Sequence, residues 1–411
     1  MREQHDTVII GGGQAGLAMS FHLRERGREH IVLERRRVAE RWRSERWNSL
    51  AFQMPNWSLQ LPGMVYEGTD PEGFAHHSEI LRFIEDYAAR IDAPVRPGTE
   101  VTALREADGS GFVIETPNGT ISARQVVIAT GPFHRPLIPE FAKSLPSSVY
   151  QTDATHYRSP AELPAGAVLV AGSGSSGTQI ADELLQDGRK VFLSVGRHRY
   201  APRRYRDKDV IWWYDKLGRF DVPIDNFPGR KYPPPTVMTG VNGGYDLYAR
   251  CLHSAGATLL GRVEGASDGT IALADDANQV LNDADKNCAD FITAADTLAE
   301  TLNMGLRQDY NPQPSAAVES ARSLKLREAN IRTVIWATGH RYDFDWVKLR
   351  VFDGNGAPVQ QRGVTGCPGA YFLGLHWMHN FRSGLLSYVG ADAAYLAEHM
   401  DAAASSECLP L

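Results

Sequence analysis

Two glycine runs carry the chemistry that can be read first. Gly11-Gly12-Gly13-Gln14-Ala15-Gly16 comes after the apolar stretch Thr7-Val8-Ile9-Ile10, and Leu17, Ala18, Phe21 and Leu23 succeed it at roughly helical spacing. Gly172-Ser173-Gly174-Ser175-Ser176-Gly177 comes after Ala167-Val168-Leu169-Val170-Ala171 in the same way, with Ile180, Ala181, Leu184 and Leu185 behind it. Each run reads Gly-x-Gly-x-x-Gly at a strand-to-helix turn. The first glycine permits the tight turn, the second lets the backbone approach a pyrophosphate, and the third lets helix and strand pack closely. The helix start then presents its N–H groups to phosphate.

The strands beyond the two runs end differently. Ile31-Val32-Leu33 predicts a second strand that ends in Glu34, 23 positions after Gly11. Its carboxylate can accept from a ribose hydroxyl. In the second copy Val195 stands at the same offset from Gly172, and Gly196, Arg197, His198 and Arg199 come next. No carboxylate guards the ribose there. Arg197, with Arg204 further on, supplies the charge for a 2′-phosphate, which favours NADP over NAD. Two dinucleotide folds in one chain imply two cofactors, FAD at the first site and NADPH at the second.

Other elements must position these turns. Residues 126–131 and 334–339 are both apolar strands ending in Ala-Thr-Gly, so Thr130, Gly131, Ala337, Thr338 and Gly339 are candidate cofactor contacts at strand exits. Residues 100–104, 111–116 and 120–121 predict three short strands of a meander, with turns at Asp108-Gly109 and Asn118-Gly119. Residues 203–248 are rich in Pro, Gly and aromatics, including Trp212, Trp213, Tyr214 and Pro233-Pro234-Pro235, and predict a long ordered loop region with some helix. Cys288, Phe291, Ala295, Leu298 and Leu302 form a helical stripe through the acidic stretch 275–309, which predicts an amphipathic surface helix. Residues 310–317 read as linker. The fold class expected is α/β with two Rossmann-like dinucleotide-binding domains, the NADP domain inserted into the FAD domain. Residues 1–155 and 328–411 would form the FAD domain and residues 156–327 the NADP domain.

Composition narrows the function classes. The 411 residues hold 43 Lys+Arg against 49 Asp+Glu, a formal charge of −6. That argues against nucleic-acid binding and against a polybasic membrane anchor. There is no apolar run long enough to span a membrane, and residues 1–6 lead straight into a strand without a signal segment, so a cytoplasmic protein is expected. Cys251, Cys288, Cys367 and Cys408 are far apart and make no Cys-x-x-Cys, which speaks against a dithiol redox centre or a zinc ribbon. No metal is expected.

The chain resembles the class B flavin-dependent monooxygenases, most of all the N- or S-oxidising enzymes and their plant auxin-forming relatives. The resemblance rests on both glycine runs, both Ala-Thr-Gly exits, Gly339-His340-Arg341-Tyr342-Asp343-Phe344-Asp345-Trp346, Phe372-Leu373-Gly374-Leu375 and Arg382-Ser383-Gly384-Leu385-Leu386. Two places depart from it. The family's linker fingerprint, Phe-x-Gly-x-x-x-His-x-x-x-aromatic, keeps only its aromatic start and His156 here, with Pro160 at the end, which weakens a Baeyer–Villiger assignment. Gln53 stands where the family often has an asparagine beside the flavin.

The resemblance implies that NADPH reduces FAD and that O2 then forms a C4a-hydroperoxyflavin, which passes one oxygen to an amine nitrogen or sulfur. The alternatives are Baeyer–Villiger oxygenation and a flavin reductase serving another acceptor. It implies Gln53, Asn56, His376 and His379 as catalytic candidates. Towards FAD it adds Gln14, Ala15, Arg35, Trp42, Trp47, Val101, Gly374, Leu375, Ser383 and Leu385 to the glycines and Glu34. Towards NADP it adds Ser173, Ser175 and Ser176. The partners expected are a small-molecule substrate and O2, and base rates alone favour a homodimer.

Overall fold

The structure is a computed structural model that describes residues 3–227, 232–234, 236–305, 310 and 316–407, with side chains to residue 402. Two sheets organise it. In the first, Ala370–Phe372, Gly119–Ile128, Glu3–Ile10, His30–Leu33 and Val95–Arg96 lie side by side and all parallel. Ala103–Glu106 and Phe112–Thr116 extend it as an antiparallel arm. The second sheet is wholly parallel and has five strands, in the order Tyr150–Asp153, Ile331–Trp336, Ala167–Ala171, Val191–Ser194 and Thr258–Leu260. Parallel strands are covered on both faces, so they read as unbroken apolar runs. Val8, Ile9, Val126, Val127 and Ile128 are fully buried in the first sheet, as are Val168, Leu169 and Val170 in the second.

Helices supply the cover. Gln14–Glu25 packs beside the C-terminal helix Val389–Glu407, and Leu17, Met19 and Leu23 meet Leu396 and Met400 in one core with Ile80 and Ile84 of the helix His77–Arg90. Ser175–Gln186 buries Ile180, Ala181 and Leu184 against Val168, Val170 and Val191. No helix among the described residues is long and apolar enough to cross a membrane.

The structure adds detail to these expectations. Residues 120–121 are not a strand of their own but the start of the ten-residue strand Gly119–Ile128. Its first half alternates exposed and buried residues while paired antiparallel, and its second half is wholly buried between parallel neighbours. Polar Ser122 and Arg124 in the alternating half hide that continuity from an apolar pattern. The acidic stretch holds a 25-residue helix, Ala277–Thr301, longer than its stripe, and Leu302 lies exposed just beyond its end. Within residues 203–248, the helix Val210–Lys216 is capped by the Asp209 carboxylate, which accepts from the Ile211 N–H at 2.9 Å. Most of the linker reading at 310–317, together with Pro235 and Cys408, lies outside the described residues.

The second sheet also takes strands from outside residues 156–327. Tyr150–Asp153 and Ile331–Trp336 belong to the second sheet, although the sequence pattern puts residues 150–155 and 328–336 in the FAD domain. Ile331–Trp336 is the reason. Its apolar run needs a neighbour on each side, and it finds Tyr150–Asp153 and Ala167–Ala171. The chain crosses between the layers at Arg135–Pro136 and returns at His340–Arg341, and these two segments pair antiparallel.

Candidate functional site

The two glycine turns are built alike. Gly11 and Gly172 both take a positive φ, 117° and 108°. A Cβ at Gly11 would meet the Ala129 carbonyl, and one at Gly172 would meet the Ala337 carbonyl. The Ala-Thr-Gly echo therefore has a physical cause: each alanine backbone is the wall against which a turn glycine packs. Ala129 donates to Ile10 O and Ala337 to Ala171 O, each at 2.8 Å. A Cβ at Gly16 or Gly177 would collide with the carbonyl oxygen of Gly11 or Gly172.

Both turns fit a dinucleotide. A Cβ at Gly13 or Gly174 would meet no atom within 4 Å, so the space in front of each turn is open. These glycines are the N-caps of Gln14–Glu25 and Ser175–Gln186, and neither helix has a side-chain cap. The first N–H groups of both helices are therefore free of side-chain acceptors and point towards a phosphate position. Arg46 adds positive charge on the first side, and Arg41 is paired with the Glu45 carboxylate. Burial lowers both guanidiniums, that of Arg46 to about 10, and both also act on the imidazole of His340.

The strand ends differ. Glu34 accepts from Gly12 N–H at 2.7 Å and from Arg36 N–H at 2.9 Å, and Thr99 donates to the Glu34 carbonyl. Val101 stands half-buried just beyond that segment, and Arg35 is exposed. In the second unit Ser173 replaces the glycine: its hydroxyl donates to Gly196 O and accepts from Gly196 N–H, each at 3.0 Å. Beyond it Arg197 and Arg204 are exposed, His198 is buried and Arg199 is half-buried. Burial lowers the Arg199 guanidinium, Arg219 lowers it further, and no carboxylate pairs with it among the described residues. The sequence singles out Arg197, and the half-buried Arg199 stands two positions beyond it.

The first helix start, the C-terminal segment and the crossing ribbon converge. Gly374 takes a φ of 78° and packs on Ala15, and Gln14 Nε2 donates to Gly384 O at 3.4 Å. Leu375 is buried, Leu385 half-buried. His376 is exposed at its surface, with the Phe133 ring beside it. Burial pushes this imidazole down to about 4, with His340 adding to the effect. The Phe133 ring stands 5.2 Å from His376 and 5.1 Å from His340, each edge-on. His134 Nδ1 accepts from Asp343 N–H at 2.9 Å, which leaves the proton on Nε2 to donate to Thr130 Oγ1 at 3.0 Å.

The remaining candidates separate. Gln53 is half-buried, and no group among the described residues bonds its side-chain amide. Asn56 is buried, and its amide accepts from Ala75 N–H at 2.7 Å and donates to Asp70 O at 2.9 Å, closing the loop. Trp47 is 5% exposed in the second unit's core, which leaves it no face for a cofactor. Trp42 touches both cores and lies under the Arg46 guanidinium at 5.0 Å. His379 donates its N–H to Ser383 Oγ at 3.1 Å and accepts from Ile224 N–H at 2.9 Å, so its backbone serves the contact between the C-terminal segment and residues 221–224. Ser383 is buried in that same knot. Ser175 and Ser176 stand half-buried at the second helix start.

A family model for pyridine nucleotide-disulphide oxidoreductases matches residues 8–213. The chain belongs to that family. An uncharacterized CzcO-like oxidoreductase of Geobacillus kaustophilus (strain HTA426) is 35% identical, with 95% of this chain and 97% of the relative covered. The indole-3-pyruvate monooxygenase YUCCA1 of Oryza sativa subsp. japonica is 30% identical over 46% of this chain and 47% of its own. Among solved structures, the flavin-containing monooxygenase of Stenotrophomonas maltophilia matches with a TM-score of 0.68 at 19% identity, covering 97% of this chain and 99% of that one. The bacillithiol disulfide reductase Bdr of Staphylococcus aureus matches at 0.63 and 14%, with the same coverage. These two share the fold. The class B resemblance and the two-dinucleotide α/β architecture are borne out, and the protein is a flavoprotein oxidoreductase of the FAD- and NADP-dependent kind.

Proposed function

We propose that this protein is an NADPH-dependent monooxygenase that places one atom of O2 on a nitrogen or sulfur of a small organic substrate. Overall, NADPH, a proton, O2 and substrate would give NADP+, water and oxygenated product. The observation that carries the reading against thiol–disulfide chemistry is the state of the thiols. Burial pushes Cys251 and Cys367 up to about 11 and Cys288 up to about 12. A thiol needs a lowered pKa to act as a nucleophile, so none of these three is equipped for exchange.

FAD supplies the oxygen chemistry when bound, and the chain's own residues set its surroundings. The helix start at Gln14–Gly16 would hold the pyrophosphate of FAD, with Arg46 supplying positive charge, and Glu34 would accept from a ribose hydroxyl. The helix start at Ser175–Gly177 holds that of NADPH. Arg199 binds the 2′-phosphate, with Arg197 and Arg204 contributing long-range charge. His376 is a neutral ring at neutral pH and can take or give a hydrogen bond without carrying charge. Gln53 would offer its amide to the flavin, and the Phe133 ring would shield the side of His376 from water. The FAD domain uses both chain ends and the NADP domain lies between them.

The test is mass spectrometry of amine and sulfide products formed with NADPH under 18O2. One labelled oxygen per product supports the reading. NADPH oxidation that runs equally well with an artificial acceptor, and yields only peroxide in air, overturns it in favour of a flavin reductase.

A further inference from the structure

Arg203 is 3% exposed and reaches from the second unit's insertion to the first unit's loop. Its Nη1 donates to the Gln53 carbonyl at 2.8 Å. Its Nε donates to Asp209 Oδ2 at 3.0 Å, and its guanidinium lies 4.3 Å over the Phe74 ring. Its own N–H is held by Asp246 Oδ1 at 2.6 Å. Gly244 leaves room for this arrangement, since a Cβ there would press on the Phe74 ring and the Arg203 guanidinium. Asp209 is buried too, and its other oxygen caps the helix Val210–Lys216.

A buried ion pair is poor evidence for stability, because well-packed apolar residues would serve as well. It is good at fixing geometry, and here the geometry fixed is that of Gln53. Phe52 N–H donates to Ala75 O at 2.7 Å on one side, and Arg203 holds the Gln53 carbonyl on the other. The backbone is pinned while the side-chain amide stays uncommitted. We infer that Arg203 is the positioning residue for Gln53, coupling the helix Val210–Lys216 of the NADP-side insertion to the loop that offers Gln53 to the flavin. This rests on the proposed role of Gln53 at the oxygenation site.

The experiment compares wild type, Arg203→Met, Arg203→Lys, Gln53→Ala and the Arg203→Met/Gln53→Ala double variant as FAD-loaded proteins. It reads the fraction of NADPH electrons that reach product rather than peroxide. Arg203→Met and Gln53→Ala should each lower that fraction roughly tenfold, the scale of one charge-assisted hydrogen bond, with FAD content kept. The double variant should be no worse than either single one, and Arg203→Lys should restore part of the loss. A second readout needs no flavin: hydrogen exchange across residues 48–56 of the flavin-free protein should quicken in Arg203→Met and not in Gln53→Ala. Unchanged exchange, or losses that multiply in the double variant, overturn the inference. If Arg203→Met does not fold, Arg203→Lys carries both readouts. Gln53→Ala with full coupling removes the role of Gln53 and the inference with it. A wild type that makes only peroxide fails the oxygenase reading instead, and exchange then decides whether Arg203 fixes the loop.

Discussion

The two nucleotide units are the same turn solved twice, and they differ where specificity is set. Gly11, Gly16 and Ala129 in the first match Gly172, Gly177 and Ala337 in the second, contact for contact. Steric necessity fixes those positions, so they are common to both. The next layer is free to vary. Gly12 N–H meets the Glu34 carboxylate in the first unit, whereas Ser173 closes on the Gly196 backbone in the second. Beyond it stands Arg199, with no carboxylate partner among the described residues. An acid at the strand end suits ribose hydroxyls, and a free guanidinium suits a phosphate. The two turns thus share their backbone, and the side chains beyond them differ.

The largest effect should come from breaking one turn at a time. Gly16→Ala and Gly177→Ala each drive a methyl into a backbone carbonyl, at a cost of roughly 1–3 kcal/mol of overpacking plus a displaced helix start. Gly16→Ala should purify without FAD absorbance. Gly177→Ala should keep its flavin, with NADPH reducing that flavin at least about 100-fold more slowly, which corresponds to roughly 2.7 kcal/mol. Absorbance spectra and anaerobic stopped-flow reduction read both. Loss of FAD from Gly177→Ala would show that the two sites are not independent.

A smaller effect should separate the arginines. Arg199→Ala should raise KM for NADPH roughly 10- to 100-fold and leave NADH nearly unchanged, since a half-buried charge-assisted bond is worth about 1.5–3 kcal/mol. Arg197→Ala should change it only a few-fold, because exposed charges are screened. Steady-state kinetics with both nucleotides decides. Equal effects on NADPH and NADH in Arg199→Ala would remove the 2′-phosphate role and dissolve the contrast with Glu34.

Legibility in the sequence obeys the same division. Both turns, with their strands and helices, can be read because each lies within one local unit, and the paired exits can be read because each repeats Ala-Thr-Gly at the end of an apolar strand. Domain limits cannot: Ile331–Trp336 has the pattern of any buried parallel strand, and nothing local says which sheet will flank it. Asn56 and Trp47 lie deeper than their residue types suggest, for a related reason. Their types suit a cofactor, but a loop closing on Asp70 and a core built from Val168 and Ile180 claim them. Arg203 is illegible because its partner Gln53 lies 150 residues away. Short-range chemistry writes itself into spacing, and long-range satisfaction of buried polar groups does not.

The smallest difference between the units lies at the exits and depends on pH. A histidine stands shortly after each exit, and burial lowers both imidazoles, His134 to about 4 and His340 in the same direction. The positive charge of Arg41 comes second to burial at both rings. Asp343 opposes that shift at His134, and Arg35 adds to it. The neutral His134 ring uses both nitrogens, accepting from Asp343 N–H and donating to Thr130. A proton on Nδ1 would face a donor and break the first bond. In the unfolded chain the ring titrates near 6.5, so the unfolded state binds more protons as the medium becomes acidic. The stability contributed by His134 is therefore complete above about pH 6.5 and is lost as pH falls towards about 4. Urea midpoints at pH 8, 6 and 5 should fall for the wild type. They should fall less steeply for His134→Gln, whose amide offers an acceptor and a donor without a charge. His340→Gln should alter the slope less than His134→Gln does. The His340 ring bonds the Thr155 hydroxyl, which can turn to accept from a protonated ring. Identical slopes in wild type and His134→Gln would mean that acid acts elsewhere, and that the two exits are equivalent in their electrostatics as well as in their backbone.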